Sequence, residues 1–435
     1  MVSILVRKSK INGSVRCPSS KSYSHRAIAI ASLAQGQSTI TNLLMARDTL
    51  ATVAGCCALG AKITYEGTTT LLVNGSDCLH PPENVINAEN SGTTIRIMTA
   101  MSALVKKGYT ILTGDESLRR RPMQPLLDAL AQLGVEAYSS KENGLPPLIV
   151  KGGGIKGGTT LVDGTISSQF ISSLLIASVY ANSSIIMKVK ADLVSKPYVH
   201  ATLAIMEHFG ASIDHSPDML EYYINNAAYH ANKFDIPSDF SSAALILAAG
   251  ALAGEKIRLN GLSFRLPQGD SQIIQILQSM GCLIRVDTLN GAVEIEGSER
   301  LEGGGDFNLA DTPDLLPVVS ILALKSKSPV RIKGVAHARV KETDRVANIA
   351  KELLKFGAVV EELPDGLKIT PPLQLKNASL EAYNDHRLFM AFTVASMMTE
   401  KSVVAGAESV DVSYPNFVSD LKELGAKILP APDRE

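Results

Sequence analysis

The chain has 435 residues, 45% of them hydrophobic and 20% charged, and its formal net charge is −1. This composition fits a globular protein of two or three domains with ample core, and the near-zero charge excludes an electrostatic nucleic-acid binder. The five cysteines form no CxxC and the eight histidines no HxH or HxxxH pair, so buried free thiols in a reducing compartment are expected, and no structural or catalytic metal.

The N-terminus, MVSILVRKSK, lacks the apolar core of a cleavable signal. From there one pattern recurs, a polar cluster opening an Ala-rich apolar helix. The copies are SSKSYSHRAIAIASLA (19–34), NSGTTIRIMTAMSAL (90–104), ISSQFISSLLIASVYA (166–181), FSSAALILAAGALA (240–253), DTPDLLPVVSILAL (311–324) and NDHRLFMAFTVASMM (384–398). Ser, Asn and Asp at such starts read as N-caps, and the Ala-rich bodies suit helices packed closely together. The longest apolar run, AALILAAGALAG (243–254), is too short to cross a bilayer. A cytoplasmic protein with no membrane partner is expected.

A second pattern runs in step with the first: a helix ending in a bulky apolar residue, then Gly, then a β-type run. It occurs as ALGAKI, QLGVEA, HFGASI, SMGCLI, KFGAVV and ELGAKI, about 70 residues apart, with glycines 60, 134, 210, 281, 357 and 425. Gly in that place supplies the left-handed conformation that ends a helix. Six α/β units follow, dividing into three plus three with the break near Asn232–Pro237.

Helix N-termini turn free N–H groups and a positive dipole end outward, which suits anions. Ser19-Ser20-Lys21-Ser22 adds hydroxyls and a cation, with Arg26 one turn on; Asn90-Ser91-Gly92-Thr93 adds a Gly that allows close approach; Ser167-Ser168-Gln169 adds hydroxyls and an amide. Taken singly, each is best read as a cap. Lys and Arg at several of them point to a shared anionic ligand. Arg121, in RRRP (119–122) before Pro122, suits the first turn of a helix, and Ser195, Lys196 and Tyr198 mark another start. Asp314 reads as a possible cap, and His386-Arg387 follow Asn384-Asp385. RVKETDR (339–345), if helical, puts Lys341 and Arg345 on one face with Glu342 three residues from Arg345. A carboxylate among these cations would stay ionised. GGGIKG (152–157) matches GxGxxG in form, but strand and turn residues follow it, so no dinucleotide site is expected.

PSSKSYSHRA (18–27), NSGTTIR (90–96), DGTISSQF (163–170), SKPY (195–198), RVKETDR and YNDHR (383–387) together resemble the 5-enolpyruvylshikimate-3-phosphate synthases, over essentially the whole chain and in that family's order. The resemblance implies an α/β (α+β) fold of two similar hinged domains, each of three βαβαββ repeats. Residues 20–232 would form one; residues 1–19 plus 233–435 would form the other, with the active site in the cleft and closure on binding. It implies transfer of the enolpyruvyl group of phosphoenolpyruvate to the 5-hydroxyl of shikimate 3-phosphate through a tetrahedral intermediate. That step serves chorismate and aromatic amino acid biosynthesis, needs no cofactor, and is the target of glyphosate. A monomer is expected.

Carried over by residue, shikimate 3-phosphate would meet Lys21, Ser22, Arg26, Ser167, Ser168, Gln169, Ser195, Tyr198, Asp314 and Lys341. Phosphoenolpyruvate would meet Lys21, Gly92, Arg121, Gln169, Arg345, His386 and Arg387. Asp314, Glu342 and Lys21 would carry the proton transfers, Asp314 as base for the 5-hydroxyl. The chain departs from the family at Val412 in DVSYPNF (411–417), where a lysine is common. Weakened phosphoenolpyruvate binding, or a cation supplied from elsewhere, would follow. The related UDP-N-acetylglucosamine enolpyruvyl transferases are a rival, but they begin with Lys-Asn and use a loop cysteine, whereas Ser22 follows Lys21 and no cysteine lies between Cys78 and Cys282. A non-catalytic binder of phosphate esters is a second rival, resting on Val412 alone.

Overall fold

All six repeat glycines adopt positive φ, from 79° at Gly134 to 113° at Gly60, a region that side chains with Cβ rarely enter. A short strand follows each of them, as at Lys62–Glu66 and Leu283–Asp287. In the computed structural model, which describes residues 2–76 and 78–431, the helices in chain order are α1 (Lys21–Leu33), α2 (Arg47–Ala58), α3 (Gly92–Ser102), α4 (Gln124–Gln132), α5 (Gln169–Ser178), α6 (Lys196–His208), α7 (Phe240–Ala253), α8 (Gln272–Ser279), α9 (Leu316–Leu322), α10 (Arg345–Lys355), α11 (His386–Ser396) and α12 (Phe417–Glu423). The odd-numbered helices are the apolar ones that follow the polar clusters. Every residue of α11, and all of α7 but its last, is buried. Small side chains let these helices pack on all sides, and Gly250 is needed where α7 crosses the sheet, since a Cβ there would lie 2.5 Å from Ile295. No helix among the described residues is long and apolar enough to cross a membrane.

Six four-stranded sheets share one strand order, and in each the first pair is parallel and the other pairs antiparallel. The repeats exchange strands at the ends of the chain. Ile11–Arg16 pairs in parallel with Gly254–Asn260, supplying the first strand of the fourth repeat. Lys233–Asp235 pairs in parallel with Gln37–Thr41, supplying the first strand of the first. Ser3–Arg7 lies between Lys401–Ala405 and Ile428–Pro430 and completes the sixth. Ser19–Pro237 thus form one compact unit, and residues up to Pro18 with those from Ser238 on form the other. Residues 233–237 stay with the first three repeats because of the pairing to Gln37–Thr41.

Several local expectations are corrected. RVKETDR is not a helix: Ala336–Val340 form a 3₁₀ turn, and α10 begins only at Arg345 with Asp344 as N-cap. Asp314 sits inside the 3₁₀ turn Pro313–Leu315 and caps nothing. Arg121 ends the 3₁₀ turn Leu118–Arg120, so Pro122 does not open a helix. All five cysteines are free, but Cys57 and Cys78 are exposed.

Candidate active site

In the unit of residues 19–237, polar groups gather at helix starts. Ser20 caps α1, placing Lys21 at its first turn with Nζ 3.0 Å from Asp48 Oδ2. Arg26 is buried one turn on and donates to Thr202 Oγ1 (2.7 Å), the Ser22 and Tyr198 carbonyls (2.9 and 3.0 Å) and Ser172 Oγ (3.3 Å). Only one of its five N–H groups is left uncommitted by these bonds. Ser91 caps α3 and sets Gly92 at its first position. A Cβ on Gly92 would lie 3.1 Å from the Nη1 atoms of both Arg96 and Arg121 and 3.6 Å from Gln169 Oε1. Gly92, Arg96, Arg121 and Gln169 therefore meet at one point. Arg121 is held there by Asn90 Oδ1 (2.9 Å) and Ser117 Oγ (3.2 Å). Arg96 donates to Gln169 and stacks on Phe170.

The Ser167-Ser168-Gln169 cluster does not cap through Ser168, the residue before the helix. Ser168 and Ser195 precede α5 and α6, both buried, and neither side chain caps its helix. Ser167 Oγ accepts from the Gln169 N–H at 3.3 Å. Ser195 is held at φ 58°, in the left-handed region that a non-Gly residue adopts at a cost of about 1–3 kcal/mol. Such strain is retained where the position of the group matters. Tyr198 and Lys196 lie in the first turn of α6. Below the surface a chain of hydrogen bonds joins α1, α2 and α3: His25 Nδ1 to Thr52 Oγ1 (2.6 Å), Thr52 to Thr94 Oγ1 (2.7 Å), and Thr94 to Ser91 Oγ (2.7 Å). Burial, with Lys21 and Arg26 nearby, holds His25 well below the usual histidine range.

In the other unit the charges of RVKETDR and YNDHR converge. Arg345, 1% exposed, donates to Asp385 through Nε (2.7 Å), to Asp314 through Nη1 (2.8 Å) and to Glu342 through Nη2 (2.8 Å). Arg387, 2% exposed, lies 3.5 Å from Asp314 and 3.8 Å from Asp239. Asp385 caps α11 through the N–H groups of Arg387 and Leu388, presenting His386 and Arg387 in its first turn. Burial raises the pKa of Asp314, but Arg387, Arg345 and Lys341 outweigh it and hold the carboxyl well below the usual range. The expectation of an ionised carboxylate among cations holds. Val412, itself buried, ends the 3₁₀ turn Ala407–Val412, which packs on α11.

Sequence reasoning missed Arg96, Asn90, Asp48, Asp239, Asp385 and His337. Arg96, Asn90 and Asp385 lay inside motifs already singled out, and Asp239 precedes a helix start as an N-cap should. Asp48 and His337 gave no local signal. His337 is 6% exposed, its Nε2 finds no partner among the described residues, and burial with Lys341 and Arg345 nearby pushes it down to about 3.

The sequence matches the family model for EPSP synthase (3-phosphoshikimate 1-carboxyvinyltransferase) over residues 6–421. It is 45% identical over 427 residues to the 3-phosphoshikimate 1-carboxyvinyltransferase of Nitrosopumilus maritimus, covering 98% of this chain and 99% of that protein. It is 43% identical over 431 residues to the enzyme of the same name from Methanocaldococcus jannaschii, again covering 98% and 99%. Among solved structures, EPSP synthase from Acinetobacter baumannii superposes with a TM-score of 0.82 at 24% identity, covering 99% of this chain and 100% of that one. That likeness carries the fold.

Proposed function

The chain belongs to the EPSP synthase family, and from that premise we propose that it transfers the enolpyruvyl group of phosphoenolpyruvate to the 5-hydroxyl of shikimate 3-phosphate, releasing phosphate. The reading rests above all on the Asp314–Arg345–Arg387 constellation, in which a half-buried carboxylate base is set against two buried cations suited to phosphate and carboxylate. The 5-hydroxyl oxygen attacks C2 of phosphoenolpyruvate while its methylene carbon gains a proton. Elimination then expels phosphate and removes a proton from that carbon, restoring the double bond on the new ether.

In this reading Asp314 takes the hydroxyl proton. Held as low as Arg387, Arg345 and Lys341 hold it, it is a weak base. Anionic groups of phosphoenolpyruvate that engage the arginines would relax that hold and raise its basicity. Glu342 and Lys21 are the proposed proton carriers for the methylene carbon and bridging oxygen, with His386 in support. Ser167, Ser168 and Ser195 with Gln169 would take the phosphate of shikimate 3-phosphate, with Tyr198 beside it. Ser22 and Arg26 would take its carboxylate, and Lys341 with Asp314 the ring hydroxyls. Lys21, Arg121, Arg345 and Arg387 would clamp phosphoenolpyruvate, with Gly92 and Gln169 against it. Arg96, beside Gly92 and Gln169, joins that set on the geometry above. The chain would act in the cytoplasm as a monomer.

The test is phosphate release from phosphoenolpyruvate with shikimate 3-phosphate, with UDP-N-acetylglucosamine, and with neither. Release that requires shikimate 3-phosphate is expected. Release with the nucleotide sugar alone, or none from folded protein, would refute the reading.

A further inference from the structure

Besides Asp239 and Asp385, which ion-pair with Arg387 and Arg345, a further buried carboxyl acts on the proposed catalytic constellation. Asp270 lies in the 3₁₀ turn Gly269–Ser271 and is 3% exposed. Ser241, at the start of α7, donates a hydrogen bond to its Oδ2. The turn is fastened on both sides. Gln268 accepts from the Phe240 N–H at 3.0 Å and donates to the Ser238 carbonyl at 2.9 Å, and Thr312, two residues before Asp314, donates to Gln272 at 2.9 Å. Asp270 is thereby fixed where it feels Asp314, Arg387 and Asp239 together.

Charge counting makes the consequence clear. Asp239, Asp270, Asp314, Glu342 and Asp385 surround this half-site, against the cations Lys341, Arg345 and Arg387. With every carboxyl ionised the group carries excess negative charge, in a place proposed to take an anion. An anion that engages Arg387 offsets the positive charge that favours ionised Asp270 and adds negative charge nearby. Both effects favour the neutral carboxylic acid.

We propose that Asp270 is the group at which this half-site takes up a proton when phosphoenolpyruvate engages Arg387, and that the neutral acid is what releases the arginine to the anion. The inference rests on the functional reading above. The step is a protonation only: one proton passes from solvent to the Asp270 carboxylate, and no bond to substrate forms. Asp270 is a positioning residue, acting through Arg387. Its own surroundings agree. Burial and then Asp314 push it up to about 7, against the opposing pull of the Ser241 hydrogen bond and Arg387. Burial raises Asp385 as well, against the pull of its ion pair with Arg345, whereas Arg387, Arg345 and Lys341 hold Asp314 low; Asp270, which faces Asp314, Asp239 and Arg387, is the carboxyl to which the proton is assigned.

The experiment measures kcat and the KM for phosphoenolpyruvate from pH 6.5 to 8.5 at saturating shikimate 3-phosphate, in wild type, D270N and S241A. The ligand's own phosphate titrates near pH 6 and adds little slope above 7. In wild type kcat/KM should fall about tenfold between pH 7 and 8.5, through KM, because the ionised form must first gain a proton. D270N, which cannot ionise, should lose that limb. S241A keeps the carboxyl but removes the bond that favours its ionised form, so its limb should move to higher pH. A limb unchanged in D270N, or unmoved in S241A where D270N does not fold, overturns the proposal. Wild type that releases no phosphate at any pH overturns the functional reading beneath it, which is a separate outcome.

Discussion

At Gly92 the requirement is for space. A Cβ there would come within 3.1 Å of two guanidinium ends, close enough that both must give by a few tenths of an ångström. Those ends are flexible, so G92A should fold normally with Arg96 and Arg121 displaced. The KM for phosphoenolpyruvate should rise about tenfold, which is ~1.4 kcal/mol, while the KM for shikimate 3-phosphate stays within about twofold. Steady-state kinetics with each substrate varied decides this, and equal loss for both would argue that Gly92 serves the helix and not the ligand. His337 makes a prediction in stability. Its folded-state pKa of about 3 lies below the ordinary value of 6.5. Between those pH values the unfolded chain binds a proton that the folded one does not, so stability falls as pH drops below about 6.5. H337N cannot titrate and should lose less, by about 2 kcal/mol between pH 7 and pH 5. His25 acts with the same sign and remains in the variant, so the acid limb should shrink without vanishing. Urea unfolding at the two pH values measures the difference, and parallel losses would show that His337 is protonated in the folded protein.

At the scale of elements, what holds Arg387 is the pairing of α10 with the YNDHR loop. Tyr383 and Asn384 are consecutive non-Gly residues at φ 53° and 57°. That conformation costs about 1–3 kcal/mol at each and persists only where the surroundings over-determine it. Asp385 supplies one restraint through its cap and its bond to Arg345. Glu352 on α10 supplies the other: fully buried, it accepts from Tyr383 Oη at 2.7 Å, the Glu381 N–H at 3.0 Å and Lys355 Nζ. Y383F removes one donor from that carboxylate and one tether from the loop. It should lower stability by about 1–2 kcal/mol in urea unfolding and raise the KM for phosphoenolpyruvate more than that for shikimate 3-phosphate. Unchanged stability would mean that the loop holds its strained shape without the tether. The sequence made the caps and helix ends legible because their chemistry is local: Gly60 and its five counterparts, Ser20, Ser91. RVKETDR left a helix open because its spacing suits a helix face, whereas Arg345 is held by carboxylates from three separate segments. Asp270 and Asp48 were invisible for the same reason, since nothing within a few residues of either marks it as part of a site.

At the scale of the whole molecule, the six-fold repetition was readable from the residues; the joining of the N-terminal strands to the later half came only with the family resemblance, and the return of Lys233–Asp235 to the first half was not foreseen. No single strand says which sheet it joins. Ile11–Arg16 precedes α1 in sequence yet belongs with α7, and Lys233–Asp235 precedes α7 yet belongs with α1. The chain passes from one unit to the other after Pro18 and again after Pro237, each a residue with fixed φ. In one unit the Ser20 N–H bonds the Pro237 carbonyl at 2.7 Å; in the other the Asp239 N–H bonds the Pro18 carbonyl at 2.8 Å. The proposed ligands ask groups of both units to hold the same pair of anions: Lys21, Arg121 and the serines from one, Lys341, Arg345 and Arg387 from the other. Like-charged groups repel until an anion offsets them, with interaction energies that grow as water is excluded. Shikimate 3-phosphate should therefore reduce the radius of gyration in small-angle scattering, and adding inorganic phosphate should reduce it further. An R26A variant, which loses the proposed carboxylate contact, should need more shikimate 3-phosphate to reach the same change. Scattering that stays constant across both additions, at concentrations that saturate turnover, would mean that the units do not rearrange on binding.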